Sequence, residues 1–271
     1  MDATQRPLVA WRQVGAVVVW TIDRPEKMNA LDAATIAALH DACGRVEAAI
    51  AGRADAAIEG EIAAVVVTGA GERAFVAGAD IAELRERRAP DALAAINSRL
   101  LDRIARLPVP TVAAVRGFAL GGGCELAIAC DLRVAGRSAR FGQPEVSLGI
   151  LAAAGGTYRL PALVGLGRAR ELLFTARIVD ADEALAMGLC EQVVDDSEVL
   201  DAALALAQRI ARNDPLAVRL TKAALARSGP GGPDAIAAES TTQAVLFESP
   251  AKFARMDAFL AKRAAKASSS T

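Results

Sequence analysis

Apolar positions along the chain alternate between two spacings. Residues 15–22, 62–68 and Thr111–Val115 are compact blocks rich in valine and alanine, the pattern of short buried strands. Between them apolar residues return every third or fourth position: Ile36, Leu39, Cys43, Val46 and Ile50 share one face of a helix expected to start after Asp32, a good N-cap. The turn Asp23-Arg24-Pro25 closes the first strand, and 51–60 reads as a surface connection. Charged helices are expected over 81–88 and 91–107, stopped by Pro108 and Pro110. A fourth short strand is expected at 132–134, after a helix opened by Gly121-Gly122-Gly123. Recurring strand, glycine turn and helix predict an α/β fold of stacked β-β-α units over residues 1–195. From there the pattern is only helical: Val199–Ala211, 215–226, 234–247 and 251–265, with a disordered tail at 267–271. Ala217, Leu220 and Leu225 in this 196–271 region need an apolar partner, so a homo-oligomer is expected.

Composition removes several classes of function. The 271 residues are 53% hydrophobic but only 4% aromatic, so the core is built from alanine, valine and leucine. With 31 basic against 32 acidic residues, nothing electrostatic attracts nucleic acid or an anionic membrane. No run is apolar long enough to span a bilayer, and Cys43, Cys124, Cys130 and Cys190 lack paired spacing, so reduced thiols in a cytoplasmic protein are expected. The single histidine, His40, borders the apolar stripe of its helix and reads as structural. Zinc therefore lacks a ligand set, and a serine–histidine hydrolase lacks its elbow motif. Gly69-Ala70-Gly71-Glu72-Arg73-Ala74 follows a strand but leads into Phe75-Val76-Ala77-Gly78 rather than a helix, which argues against dinucleotide binding. Proton transfer is left to carboxylates.

Two carboxylates stand in suggestive company. Glu125 lies one turn into the helix opened by the glycine triplet, whose backbone N–H groups can bind an oxygen that gains negative charge. Glu145 follows in Phe141-Gly142-Gln143-Pro144-Glu145. Taken singly, Glu125 also fits a first-turn stabilising charge, Glu145 a loop charge, and Asp80 in Ala77-Gly78-Ala79-Asp80 a helix N-cap.

Four strings together resemble the crotonase (enoyl-CoA hydratase/isomerase) family. They are Ile22-Asp23-Arg24-Pro25-Glu26-Lys27-Met28-Asn29-Ala30-Leu31, Ala77-Gly78-Ala79-Asp80-Ile81, Gly117-Phe118-Ala119-Leu120-Gly121-Gly122-Gly123-Cys124-Glu125-Leu126 and Phe141-Gly142-Gln143-Pro144-Glu145. The resemblance implies a β-β-α spiral followed by a helical trimerisation region, assembled as a trimer or dimer of trimers. It implies an acyl-CoA thioester as substrate, with coenzyme A part of that substrate and no metal or redox cofactor. The N–H groups of Ala79 and Gly122 would form the oxyanion hole. Glu125 and Glu145 would share a water, Glu125 as base on it and Glu145 exchanging the proton at the α-carbon. Lys27, Met28, Ala30, Ala77, Asp80 and Ile81 would contact coenzyme A, with Phe259 and Lys262 closing over its nucleotide end. Isomerases and thioester-cleaving members commonly lack one glutamate of the pair, so its presence implies a 2-trans-enoyl-CoA hydratase over an isomerase, a specialised dehydratase or a non-catalytic binder. Departures fall in Ile150-Leu151-Ala152-Ala153-Ala154, where hydratases carry a proline and a glycine, and at Arg255, where a glycine is usual. Both bear on the acyl pocket or the C-terminal lid, and so on substrate choice, more than on the chemistry.

Overall fold

The computed structural model describes residues 6–53, 58–227 and 233–268; the side chains of 227, 233–238, 259 and 262–268 are outside that description. Parts of the expected 51–60 connection, the glycine-proline turn before 233 and the end of the expected tail therefore lie outside it. Two compact units are present, Met1–Ala211 and Arg212–Thr271.

The first unit opens with a hairpin, β1 (Val9–Val14) and β2 (Val17–Ile22), then α1 (Ala33–Ile50). Next come β3 (Ala64–Gly69), β4 (Ala74–Val76), α2 (Ile81–Glu86), α3 (Ala89–Ala94) and α4 (Ile96–Ala105). A further turn supplies β5 (Thr111–Val115), β6 (Phe118–Leu120) and α5 (Gly122–Ala129). After β7 (Leu132–Gly136) and β8 (Arg140–Gly142) follow α6 (Gly156–Val164), α7 (Leu166–Thr175), β9 (Ile178–Asp180), α8 (Ala181–Ala186), β10 (Gln192–Val194) and α9 (Val199–Ala211). Both strands of the opening hairpin join the larger of two sheets, and each later turn of the chain contributes one strand to each sheet. The larger has the order β1-β2-β3-β5-β7-β10 and the smaller β4-β6-β8-β9. Pairing is parallel except at β1–β2 and β8–β9.

The valine-rich blocks are explained by burial on both faces. In β2, Val18, Trp20 and Ile22 enter the main core while Val17 and Val19 face α9; Val65 and Val67 of β3 likewise alternate with Ala64 and Val66. α9 seals that outer face with Val199, Ala203 and Ala207 and falls within the first unit. Asp32 caps α1 as expected, accepting from the Thr35 amide at 2.8 Å and pairing with Arg24 at 2.8 Å. The expected 91–107 helix is broken. Ala95 takes a left-handed conformation (φ 52°), separating α3 from α4 at a cost of about 1–2 kcal/mol. Hydrogen bonds around it sustain the break, from Arg87 Nη1 to Asn97 Oδ1 (3.1 Å) and from Ser98 Oγ to the Ala153 carbonyl (2.7 Å). Strand β4 follows the Gly69–Ala74 glycine string, so no helix N-terminus is there to hold a dinucleotide pyrophosphate.

The second unit holds α10 (Pro215–Arg227), α11 (Pro233–Phe247) and α12 (Pro250–Ser268), close to the helices expected from spacing.

Candidate active site

The site is assembled where α5 meets the end of β4. Gly123 has no room for a side chain: a Cβ would lie 1.8 Å from the Val76 carbonyl oxygen. Bare backbone there lets α5 pack directly on β4. Gly121, just before the helix, adopts φ 52°, ψ −123°, open only to glycine, and a Cβ on it would come within 3.0 Å of Glu145 Oε1. The close approach brings Gly122 beside Ala79, its Cβ position 3.5 Å from the Ala79 nitrogen. Ala79 is fixed by a parallel bridge to Leu31, in which the Leu31 amide donates to Gly78 O (2.9 Å) and the Asp80 amide to Leu31 O (3.0 Å). Among the described residues, neither the Ala79 nor the Gly122 N–H has an acceptor within the chain. Two adjacent donors are thus kept for something else.

Both glutamates line the same cavity as these amides, a space of about 570 Å³. Glu125 is 3% exposed, and its Oε1 accepts from the Ala154 amide at 2.7 Å and the Gly156 amide at 2.9 Å. Burial pushes its pKa up, while those two amides and the Arg159 charge pull it back. Glu145 sits in a 3-10 turn, Pro144–Leu148, and is 8% exposed. Burial raises its pKa to about 7, and the Glu125 charge adds to the rise. The side-chain amide of buried Gln143 lies 3.1 Å from both carboxyl oxygens of Glu145, within donating distance when its nitrogen faces them. Burial thus raises both carboxyls, and Glu145, without the two amides that serve Glu125, is the one carried up to about 7. Leu84, Ile96, Leu148, Ile150 and Leu151 supply apolar walls.

The other expected contacts divide. Ala77 and Ile81 line the cavity. Asp80 caps α2, accepting from the Ala82 and Glu83 amides at 3.0 and 3.3 Å. Lys27, Met28 and Ala30 lie on a neighbouring turn outside the cavity lining; the Met28 carbonyl accepts from the Ala77 amide at 3.1 Å, and Ala30 O from Arg24 Nη1 at 2.6 Å. Phe259 and Lys262 lie outside the described side chains. His40 is remote from the site. It is tied to Arg103, which donates to its carbonyl at 2.8 Å, and burial and that guanidinium hold its pKa down. The four cysteines are buried thiols, those of Cys43 and Cys124 pushed up to about 12 by burial. Among the described residues no three His, Cys, Asp or Glu side chains gather as metal ligands, and no helix is long and apolar enough to cross a membrane.

Free amides beside a carboxyl pair can be compared with known proteins. A sequence model described as enoyl-CoA hydratase/isomerase matches residues 12–269. The chain belongs to that family. Its relatives include the short-chain-enoyl-CoA hydratase of Clostridium acetobutylicum, 43% identical over 92% of this chain and 93% of the relative. The crotonyl-CoA hydratase of Syntrophomonas wolfei is 42% identical over the same shares. Among solved structures, the enoyl-CoA hydratase from Bacillus anthracis superposes with a TM-score of 0.86 at 33% identity, covering 94% of this chain and 96% of its own. The two-sheet spiral is therefore the crotonase fold of this enoyl-CoA hydratase/isomerase family.

Several functional contacts escaped sequence reasoning. The amides of Ala154 and Gly156 that hold Glu125 come from the end of a loop and the start of α6, 29 and 31 residues further on, and only folding brings them there. Gln143 stood inside a motif already singled out, two residues before Glu145, but its contact with that carboxyl is a tertiary fact.

Proposed function

We propose that the protein hydrates a 2-trans-enoyl-CoA reversibly to the 3-hydroxyacyl-CoA. The observation that carries this reading is one cavity lined by two free amides, Ala79 and Gly122, and by two buried carboxyls, Glu125 and Glu145. The amides accept the thioester oxygen and stabilise the enolate as the double bond is attacked. Glu125 takes a proton from water while the water oxygen bonds to the β-carbon. Glu145 gives its proton to the α-carbon, which discharges the enolate. The reverse reaction uses the same groups with roles exchanged. Because proton transfer and charge stabilisation both come from the chain, the reading includes no metal or redox cofactor, and coenzyme A enters only as part of the substrate.

Coenzyme A is assigned to Ala77, Asp80 and Ile81 with the adjoining turn of Lys27, Met28 and Ala30, and its nucleotide end to Phe259 and Lys262. A short acyl chain is favoured, because two relatives, 43% and 42% identical over 92% of the chain, bear the names short-chain-enoyl-CoA and crotonyl-CoA hydratase. The reading also takes the protein to be a cytoplasmic homo-oligomer, a trimer or dimer of trimers, whose C-terminal helices from about 196 contribute to assembly. Exposed Leu225 and Leu260 in that region support this.

The test is the loss of conjugated absorbance when crotonyl-CoA is mixed with the protein. Turnover that falls about 10²–10⁴-fold in Glu125→Gln supports the reading. Faster conversion of a 3-enoyl-CoA than hydration of the 2-enoyl form would make it an isomerase instead.

A further inference from the structure

The loop from Ile150 to Ala154 contains no proline and no regular secondary structure before α6 begins, yet it delivers one of the two amides that hold Glu125. Its anchors come from outside. The Ala153 carbonyl accepts from Ser98 Oγ at 2.7 Å, and the Ala154 carbonyl from Arg159 Nη1 at 3.1 Å. Ser98 belongs to α4, just beyond the Ala95 break, and lines the same cavity.

The geometry of a single peptide makes the Ser98 contact informative. The carbonyl of Ala153 and the amide of Ala154 belong to one planar trans unit, so they point in opposite directions. Ser98 grips the carbonyl end, and the amide end donates to Glu125 Oε1 at 2.7 Å. Fixing one end fixes the other, and donation to the carbonyl polarises the N–H toward the carboxylate. The second amide on Glu125 is held differently: its peptide carbonyl, Gly155 O, accepts from the Arg159 amide at 2.8 Å in the first turn of α6. One donor is thus set by a helix backbone and the other by a side chain.

We propose that Ser98 is a positioning residue for Glu125, acting through the Ala153–Ala154 peptide to hold that carboxylate ionised and aimed into the cavity. The proposal rests on the hydratase reading above. Loss of the hydroxyl lets the peptide rock, weakening the hydrogen bond to the carboxylate rather than any contact with coenzyme A.

Ser98→Ala and Ser98→Thr test it by crotonyl-CoA hydration across pH, alongside thermal melting. In Ser98→Ala, kcat is expected to fall about three- to tenfold, as for loss of one hydrogen bond, with KM within about twofold. The acidic limb of the pH profile, which reports protonation of the pair formed by Glu125, beside the Arg159 charge, and Glu145, is expected to move up by about half a unit, because the carboxylate form has lost support. Ser98→Thr, which keeps the hydroxyl, is expected to restore both. Unchanged kcat and limb in Ser98→Ala overturn the proposal. A loss that spares the limb, or that Ser98→Thr does not repair, assigns Ser98 a merely structural role and overturns it as well. A wild-type chain without hydratase turnover removes the functional reading and this inference with it; turnover that Ser98→Ala leaves intact removes the inference alone.

Discussion

Replacing Glu145 by glutamine should move activity and stability in opposite directions, and the stability change should depend on pH. The folded chain holds this carboxyl at a pKa of about 7 against an ordinary value of 4.5, chiefly through burial. Below pH 4.5 the group is protonated in both folded and unfolded chains and contributes no difference. As pH rises from there the unfolded chain ionises first, so the fold loses stability, and the loss is complete above about 7. The gap sets a ceiling of about 3 kcal/mol, and relaxation around the charge brings the expected value to about 1–2 kcal/mol. Glutamine is neutral throughout and escapes this penalty. Glu145→Gln should therefore melt about 3–6 °C above wild type at pH 8.5 and show a much smaller difference at pH 5. Hydration of crotonyl-CoA by the same variant should fall about 10²–10⁴-fold. Melting curves at the two pH values, taken with the absorbance assay, check both halves. A stability difference that stays constant or shrinks as pH rises would refute the argument that burial destabilises the charged form. Full turnover in the variant would refute the proton-delivery role.

Other outcomes follow from the same contacts. Gly123→Ala places a Cβ 1.8 Å from the Val76 carbonyl and should lower stability by about 3 kcal/mol or more, seen in melting temperature and soluble yield. Asn29 is fully buried at φ 58°, where its oxygen accepts from the Arg24 amide and its nitrogen donates to Ala70 and Ala74 carbonyls. Asn29→Ala should cost about 2–4 kcal/mol in urea unfolding and loosen the turn that carries Lys27 and Met28. Hydration and dehydration both use a pair carrying one proton, so their kcat/KM profiles should superimpose and fall as pH rises above about 7. Profiles with separate upper limbs in the two directions would contradict the shared-proton arrangement.

The expected strands at 15–22, 62–68 and Thr111–Val115 match β2, β3 and β5, because burial on both faces leaves an unbroken apolar run that needs no tertiary information to detect. Short strands such as β4, β6 and β8, three residues each, carry no such signal; their pairing is decided by neighbours far along the chain. The break at Ala95 was equally invisible. Alanine is the strongest helix former, and the hydrogen bonds that flank the left-handed residue, Arg87 to Asn97 and Ser98 to Ala153, are tertiary.

By itself, the order of residues determined which backbone lacks side chains and which carboxyls accompany it. The glycine triplet, Glu125 and Glu145 are local facts of covalent chemistry, and so is the helical character of α9, α10, α11 and α12. Tertiary structure alone decided what those groups can do. It laid Gly122 against Ala79, buried both glutamates in one cavity, and delivered the Ala154 and Gly156 amides to one of them only. The division has a physical cause. Propensity and glycine geometry act over a few neighbouring residues, whereas desolvation and hydrogen bonding to a carboxyl depend on whatever the fold places within about 3 Å of it.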